Sequence, residues 1–82
     1  MRCWAEINIQ NLYENIKEIE KVTSKDKIIA VLKADAYGHG MEKICEALLN
    51  VGIKSFAVAT VEEALKLKEI NSQVFVIILG PI

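Results

Sequence analysis

Several features that mark particular classes of protein are scarce in this sequence. Its 82 residues include one proline, one histidine and two cysteines, so no cluster of His and Cys has the spacing of a structural zinc site. Ten Lys or Arg residues against eleven Asp or Glu residues give a net charge of −1, which excludes the basic surface typical of nucleic-acid-binding proteins. We therefore expect no metal and no nucleic-acid partner.

Long apolar runs are also lacking. The longest run, Val74–Leu79, has six residues, whereas a membrane-spanning helix needs about 20. Near the N-terminus, Glu6 stands where a secretory signal would be apolar. Because 52% of the residues are apolar, the composition also differs from that of a disordered chain. The sequence predicts a folded cytoplasmic protein without a membrane partner.

The two cysteines, Cys3 and Cys45, are 42 positions apart and form no C-x-x-C motif. Free cysteine behaves as a small apolar residue and is commonly buried. We therefore predict two buried free thiols, while the sequence leaves a single disulfide between them open.

Two hydrophobic periodicities alternate along the chain. Apolar residues that alternate, or that run continuously over strand length, predict strands at 3–9, 28–32, 55–59 and 74–79. Apolar residues three and four positions apart predict helices at 12–22, 41–50 and 61–70. Thr60 and Glu63 have the spacing of a capping box at the start of the last helix. We therefore expect Glu62 and Glu63 to be structural rather than a catalytic pair of carboxylates.

The order of these segments predicts an α/β fold. From residue 28 to residue 79 the pattern is β-α-β-α-β, and a strand and a helix precede it. Continuous apolar runs are typical of buried parallel strands, and right-handed crossovers would make these strands parallel. Two architectures fit, a doubly wound open sheet and part of a (β/α)8 barrel of the TIM type. A full barrel needs about 250 residues, so this chain would supply three of its eight strands.

In both architectures functional groups gather at the carboxyl ends of the parallel strands. The richest such segment is 33–40, Lys-Ala-Asp-Ala-Tyr-Gly-His-Gly, which follows an apolar strand. Lys33 ends that strand, and a low-dielectric interior favours the neutral form of its amine. A neutral lysine amine is a nucleophile that forms Schiff bases with carbonyl groups. The alternative is a lysine that merely ends the strand and points to water.

The rest of this segment offers further candidates. Tyr37 could donate a hydrogen bond to an anion, and His39 could act as a base or orient another group. Each could equally be a packing or capping residue. Gly38 and Gly40 allow backbone angles and close approaches that other residues do not. They do not form a G-x-G-x-x-G dinucleotide motif, because position 43 is Lys.

The residues around Lys33 resemble a known signature. The twelve residues 29–40, which read IAVLKADAYGHG, resemble the pyridoxal-phosphate signature of alanine racemases. Asp35 stands where some members of that family have Asn. The opening 4–9 and the segments 57–64 and 78–80 are similar to the family's start and to its next two strand ends. The resemblance therefore extends over the whole chain.

The resemblance implies a pyridoxal-phosphate (β/α)8 barrel followed by a β-rich C-terminal domain. Residues 1–82 would be the N-terminal part of that barrel, with the rest of the barrel and the C-terminal domain absent. Lys33 would be both the cofactor lysine and a catalytic base. Tyr37 would lie near the cofactor phosphate, and Leu79 beside its pyridine ring. Supporting roles are implied for the other members of the signature, which are Gly38, His39 and Gly40.

The implied activity is the interconversion of L- and D-alanine by two-base proton exchange at Cα through a pyridoxal-phosphate aldimine, which supplies D-alanine for cell-wall peptidoglycan. Lys33 would be one base. In the family, the opposing base is a tyrosine from the C-terminal domain of the partner subunit in a homodimer, and later strands supply an arginine that faces the pyridine nitrogen. Because these groups are absent from the sequence, we expect the chain to be inactive alone.

Two alternative functions stay open. One is another pyridoxal-phosphate racemase, acting on serine or on several amino acids. The other is a small non-catalytic α/β binding module. In the isolated chain, whatever its function, the run Val74–Leu79, which is uncharged and free of proline, would lie at an unclosed sheet edge. We therefore expect the isolated chain to be poorly folded or to self-associate.

Overall fold

The computed structural model describes residues 2–32 and 39–80, apart from the side chain of His39. Within these ranges the strands are β1 (Cys3–Ile7), β2 (Ile28–Leu32), β3 (Ser55–Val58) and β4 (Phe75–Ile78). The helices are α1 (Leu12–Glu20), α2 (His39–Asn50) and α3 (Val61–Ile70), and a 3₁₀ turn at Lys25–Lys27 precedes β2. The predicted order of elements is confirmed, but the described sheet has four strands rather than the three predicted for the barrel, because β1 also pairs in parallel with β2. The helix α2 begins two residues earlier than predicted, and β1, β3 and β4 are one or two residues shorter.

The four strands form one parallel sheet in the order β1-β2-β3-β4. Each strand pairs with the strand that precedes it in the chain. Because every crossover steps in the same direction with the same hand, the helices fall on one face of the sheet. A doubly wound sheet would reverse its direction and carry helices on both faces. The arrangement is therefore α/β of the partial TIM-barrel type.

The face of the sheet that carries the helices, the outer face, forms the main hydrophobic core. All three helices contribute apolar side chains to it. Fully burying one such side chain stabilises a fold by about 1.5–3 kcal/mol, so this layer dominates the packing. Its buried strand residues are Ile7, Ile28, Ala30, Leu32, Phe56 and Val58, and its buried helix residues are Ile19, Met41, Ile44, Cys45, Leu48, Ala64 and Leu67.

The opposite face, the inner face, holds a smaller apolar cluster. Ile29, Val31 and Ala57 are buried there, and Ile77 packs against them. No helix of the described ranges contributes a side chain to this cluster. In a closed barrel this face would line the interior. The strand β2 is buried on both faces, as its continuous apolar run predicted.

The helix α2 is terminated by a glycine, Gly52. Gly52 has φ +100°, in the left-handed region that favours glycine. The N–H of Gly52 donates to the carbonyl of Leu49 at 3.0 Å, and the N–H of Ile53 donates to the carbonyl of Leu48 at 2.9 Å. These bonds satisfy carbonyl groups that the helix end leaves free. Ile53 is buried and carries the chain towards β3.

The capping box predicted for α3 is confirmed. The Thr60 hydroxyl accepts a hydrogen bond from the N–H of Glu63 at 3.2 Å, and the Glu63 carboxylate accepts one from the N–H of Thr60 at 2.9 Å. The helix therefore begins with two backbone donors satisfied reciprocally.

The two cysteines differ in their environments. Cys45 is fully buried in the main core, whereas Cys3 is exposed at the start of the edge strand β1. The prediction of a buried thiol is thus right for Cys45 and wrong for Cys3, because β1 has a neighbour on one side alone. Both thiols are free. Burial, and then the negative charge of Glu46, raise the pKa of the Cys45 thiol from 9.0 to about 11.

Among the described residues, no helix has the length and apolar character needed to cross a membrane.

The capping box gives a direct test of the start of α3. Replacing Thr60 with Ala removes the hydroxyl acceptor and should lower the free energy of unfolding by about 1 kcal/mol. Thr60→Ser keeps the acceptor and is the matched control. Urea unfolding followed by circular dichroism measures both variants, and equal stabilities for Ala and Ser at position 60 would contradict the capping role.

The two thiols should react at very different rates with a maleimide reagent. At pH 8 a thiol with a pKa of about 11 is about 0.1% thiolate, the reactive form, and the core also shields Cys45. We expect Cys3 to be labelled rapidly and Cys45 to be labelled after unfolding in urea. Mass spectrometry of native and unfolded samples measures this, with Cys3→Ser as the control. Equal labelling rates in the native protein would show that Cys45 is accessible.

Candidate functional site

The carboxyl ends of the four strands lie along one edge of the sheet. Ile7 pairs with Leu32 at the ends of β1 and β2, and Val58 pairs with Ile78 at the ends of β3 and β4. This edge, called the carboxyl edge from here on, is where a parallel α/β sheet places its functional groups. Lys33 follows Leu32 directly in the sequence.

Part of the predicted site lies outside the described residues. The site residues concerned are Lys33, Tyr37 and Gly38. His39 is the first residue of α2. Gly40 and Leu79 are both described. Gly40 lies in the first turn of α2, and Leu79 directly follows β4.

Leu79 lies immediately after β4 at the carboxyl edge. Its backbone N–H donates to the carbonyl of Val58 at 2.8 Å, which holds it against the end of β3. Its side chain is 39% exposed, so apolar surface is accessible there. Gly80, the next residue, has φ +83°, and a Cβ at this position would meet no atom within 4 Å. The backbone conformation, rather than crowding, therefore favours glycine at position 80.

Gly40 brings the first turn of α2 close to the segment that follows β1. A Cβ on Gly40 would lie 2.8 Å from Cδ1 of Ile9, a separation at which the Ile9 side chain would have to move. Gly40 is buried, whereas Ile9 is 45% exposed. The packing role of Ile9 is a feature that sequence reasoning missed. Its place at the end of the opening 4–9, which resembles the family's start, was the available signal, but its partner Gly40 is distant in sequence.

Glu63 connects the loop after β3 to α3. Its carboxylate oxygen Oε1 accepts hydrogen bonds from the N–H groups of Ala59, at 3.1 Å, and Thr60, at 2.9 Å. Glu62 is exposed on the first turn of the same helix. The carboxylate of Glu63 therefore holds the backbone at the carboxyl edge, in agreement with the structural role predicted for it.

Two surface hollows lie elsewhere on the molecule. One, of about 410 Å³, is lined by polar and charged side chains of α1 and by Asn11 and Lys21, which flank that helix. The other, of about 290 Å³, lies near Lys54 and Val74, which directly precede β3 and β4. This second hollow is at the amino ends of the strands, the side of a barrel associated with stability rather than catalysis. Neither coincides with the carboxyl edge.

No group of three or more His, Cys, Asp or Glu residues that could hold a metal ion occurs within residues 2–32 and 39–80. No polar or charged residue in these ranges is buried.

Comparisons with known proteins agree on one family. Residues 7–82 match the family model described as alanine racemase, N-terminal domain. The alanine racemase of Carboxydothermus hydrogenoformans is 40% identical over 77 residues, which are 94% of this chain and 21% of that protein. Alanine racemase 1 of Clostridium acetobutylicum is 42% identical over 77 residues, which are 94% of this chain and 20% of that protein.

A cyanobacterial relative shows a similar match. The alanine racemase of a Nostoc species is 38% identical over 80 residues, which are 96% of this chain and 21% of that protein. No solved structure matches the chain significantly. The chain spans about one fifth of the length of the curated relatives it matches. Since the family model covers almost the entire chain, the chain belongs to the alanine racemase N-terminal domain family.

Proposed function

We propose that this chain is the cofactor-lysine segment of a pyridoxal-phosphate-dependent alanine racemase, an enzyme that interconverts L- and D-alanine. The observation that carries the proposal is the match of residues 7–82 to the family model. Within the matched residues, Lys33 directly follows β2 in the sequence, and β2 is buried on both faces. Because the chain spans about one fifth of its relatives, the activity is assigned to the longer protein.

The carboxyl edge fits the proposed cofactor in its dimensions and chemistry. Neighbouring strands lie about 4.8 Å apart, so the ends of β2 and β4 are about 10 Å apart. A lysine side chain reaching from the end of β2 and an aromatic ring together cover such a distance. At the far end Leu79 offers exposed apolar surface, against which the face of a ring can pack. Lys33, Tyr37 and Leu79 would hold the cofactor.

Each of these residues has a distinct proposed task. The amine of Lys33 would hold the cofactor through its aldehyde and would serve as the base that removes or returns the Cα proton on one face of the substrate. Tyr37 donates a hydrogen bond near the phosphate, and Leu79 orients the ring by packing. Supporting roles are proposed for Gly38, His39 and Gly40, of which His39 and Gly40 open α2. When bound, the cofactor supplies a conjugated ring that stabilises negative charge at Cα.

The remaining parts of the enzyme lie beyond this chain in the proposal. A racemase needs a second base on the opposite face of Cα, and the family resemblance assigns it to a tyrosine of the partner subunit in a homodimer. The same resemblance makes alanine the substrate, the cytoplasm the compartment and cell-wall peptidoglycan the use of D-alanine. The 82-residue chain alone therefore lacks two-base catalysis.

Cofactor labelling tests the assignment of Lys33 directly. The chain is incubated with pyridoxal phosphate, reduced with borohydride and mapped by mass spectrometry. We expect Lys33 to be labelled preferentially over the eight other lysines of the sequence, because the proposed cofactor site would bring the aldehyde to the lysine that follows β2. In the control variant Lys33→Arg, the residual label should be spread over the remaining lysines. Equal labelling of all lysines in the unaltered chain would remove the case for a cofactor site.

Transplantation tests the activity of the longer protein. This chain replaces the matching 77-residue segment of the Carboxydothermus hydrogenoformans alanine racemase, and the hybrid is assayed with L-alanine and L-serine. We expect racemisation of alanine, and a loss of about 10²–10⁴-fold in the Lys33→Arg hybrid, the range expected when a positioned base is removed.

The matched control for the hybrid is Lys43→Arg, the same substitution at an exposed position of α2, which should leave the rate unchanged. Faster turnover of serine than of alanine would favour a serine or broad-specificity racemase instead. A folded hybrid with no activity on either amino acid would favour a non-catalytic binding module.

A further inference from the structure

One peptide group at the carboxyl edge is hydrogen-bonded on both of its sides. The carbonyl oxygen of Val58 accepts a hydrogen bond from the N–H of Leu79 at 2.8 Å. The N–H of Ala59, which belongs to the same peptide group, donates to Oε1 of Glu63 at 3.1 Å. This group, the bridging peptide from here on, therefore links a carboxylate of α3 to the residue that follows β4.

The bond from Ala59 goes beyond what helix capping requires. A capping box pairs the third helical residue with the N-cap residue, and here that pair is Glu63 and Thr60. Ala59 precedes the N-cap and lies one residue beyond β3, which ends at Val58. Its N–H is therefore past the end of the strand, and the Glu63 carboxylate supplies its acceptor.

The acceptor at one end of this series of two hydrogen bonds is a carboxylate. Hydrogen bonds to an ionised acceptor are about twice as strong as those between neutral groups. Hydrogen bonds in series also polarise one another, so a peptide that donates strongly becomes a better acceptor at its carbonyl. The carboxylate of Glu63 therefore fixes the bridging peptide and strengthens the bond that this peptide forms with Leu79.

Leu79 depends on that bond more than a residue inside a strand would. It lies beyond β4, which ends at Ile78, and its side chain is 39% exposed. Around Gly80, the next residue, there is open space where a Cβ would lie. The backbone bond to the bridging peptide is therefore a main restraint on where the Leu79 side chain stands at the carboxyl edge.

We propose that Glu63 is a positioning residue for the cofactor site. Its carboxylate holds Leu79, by way of the bridging peptide, in the place where the ring of pyridoxal phosphate packs. The inference rests on the proposed function for the role of Leu79, whereas the link between Glu63 and Leu79 depends on the hydrogen bonds alone. Glu63 itself touches neither substrate nor cofactor.

Hydrogen exchange tests the link in the absence of the cofactor. The hybrid racemase that carries this chain is freed of pyridoxal phosphate, and exchange of the Leu79 amide is followed by mass spectrometry with single-residue fragmentation. We expect Glu63→Ala to speed this exchange about tenfold, the size expected when a hydrogen bond to a charged group is lost. Unchanged exchange in this variant would overturn the proposal.

Two control variants separate the link from charge and from helix capping. Glu62→Ala removes an equal charge from the same helical turn and should leave the exchange of the Leu79 amide unchanged. Thr60→Ala removes the hydroxyl of the capping box and leaves the acceptor of the bridging peptide in place, so its effect should be smaller than that of Glu63→Ala. An equal effect in either control would overturn the link.

Cofactor affinity tests the consequence for the site. Absorbance titration of the hybrid with pyridoxal phosphate should show that Glu63→Ala raises the Kd about tenfold, and that Leu79→Ala raises it at least as much. Because Glu63 acts through Leu79, the double variant should bind no more weakly than Leu79→Ala alone. Additive losses would show that Glu63 affects the site by another route and would overturn the proposal.

The two measurements distinguish this inference from the proposed function. If Leu79→Ala leaves the Kd unchanged while Glu63→Ala speeds exchange, the link stands and the cofactor role of Leu79 is wrong. If Leu79→Ala raises the Kd while Glu63→Ala changes neither measurement, the positioning role of Glu63 is wrong.

A second variant decides if the Glu63→Ala hybrid loses its helical circular dichroism. Glu63→Gln keeps an acceptor of the same shape without its charge and should speed the exchange of the Leu79 amide by a smaller factor, since neutral hydrogen bonds are about half as strong. Exchange equal to that of the unaltered hybrid would overturn the proposal.

Discussion

Apolar burial between the sheet and its helices is the interaction on which the other features of this fold depend. Phe56, the largest fully buried side chain among the described residues, belongs to this layer, as do Ile44 of α2 and Leu67 of α3. No polar residue of the described ranges is buried, so close apolar contact rather than a polar network holds the layer together. With the helices confined to the outer face, the strands step in one direction and their carboxyl ends share one edge.

That edge has its own means of support. Glu63 binds two successive N–H groups of the loop after β3, and Leu79 is held to Val58 by a backbone hydrogen bond. Gly40 lets the start of α2 approach Ile9 closely. These contacts fix the described backbone at the carboxyl edge, and a fixed backbone is what a site at such an edge needs in order to hold one geometry.

Local signals predicted most of this structure. The continuous run of β2 and the Thr60–Glu63 capping box depend on neighbouring residues, and both are found as predicted. The choice between a barrel and a doubly wound sheet was open, because periodicity carries no information on strand order. The exposure of Cys3 was missed for the same reason, since an edge strand and a central strand can have the same pattern. The close approach of Ile9 and Gly40 joins segments that are distant in sequence, so local patterns did not predict it. The proposed roles of Lys33 and Tyr37 come from the family resemblance.

The sequential strand order also has a consequence for how the chain folds. Partners in the three strand pairs are 25, 26 and 20 residues apart, from Cys3 to Ile28, from Ile29 to Ser55 and from Ser55 to Phe75. Each strand therefore finds its partner already synthesised, one crossover earlier. Structure can grow vectorially, unit by unit, while translation proceeds at about 5–20 residues per second. The contact that closes a barrel is different in kind, since it must join the last strand to the first and can form only after every unit is in place.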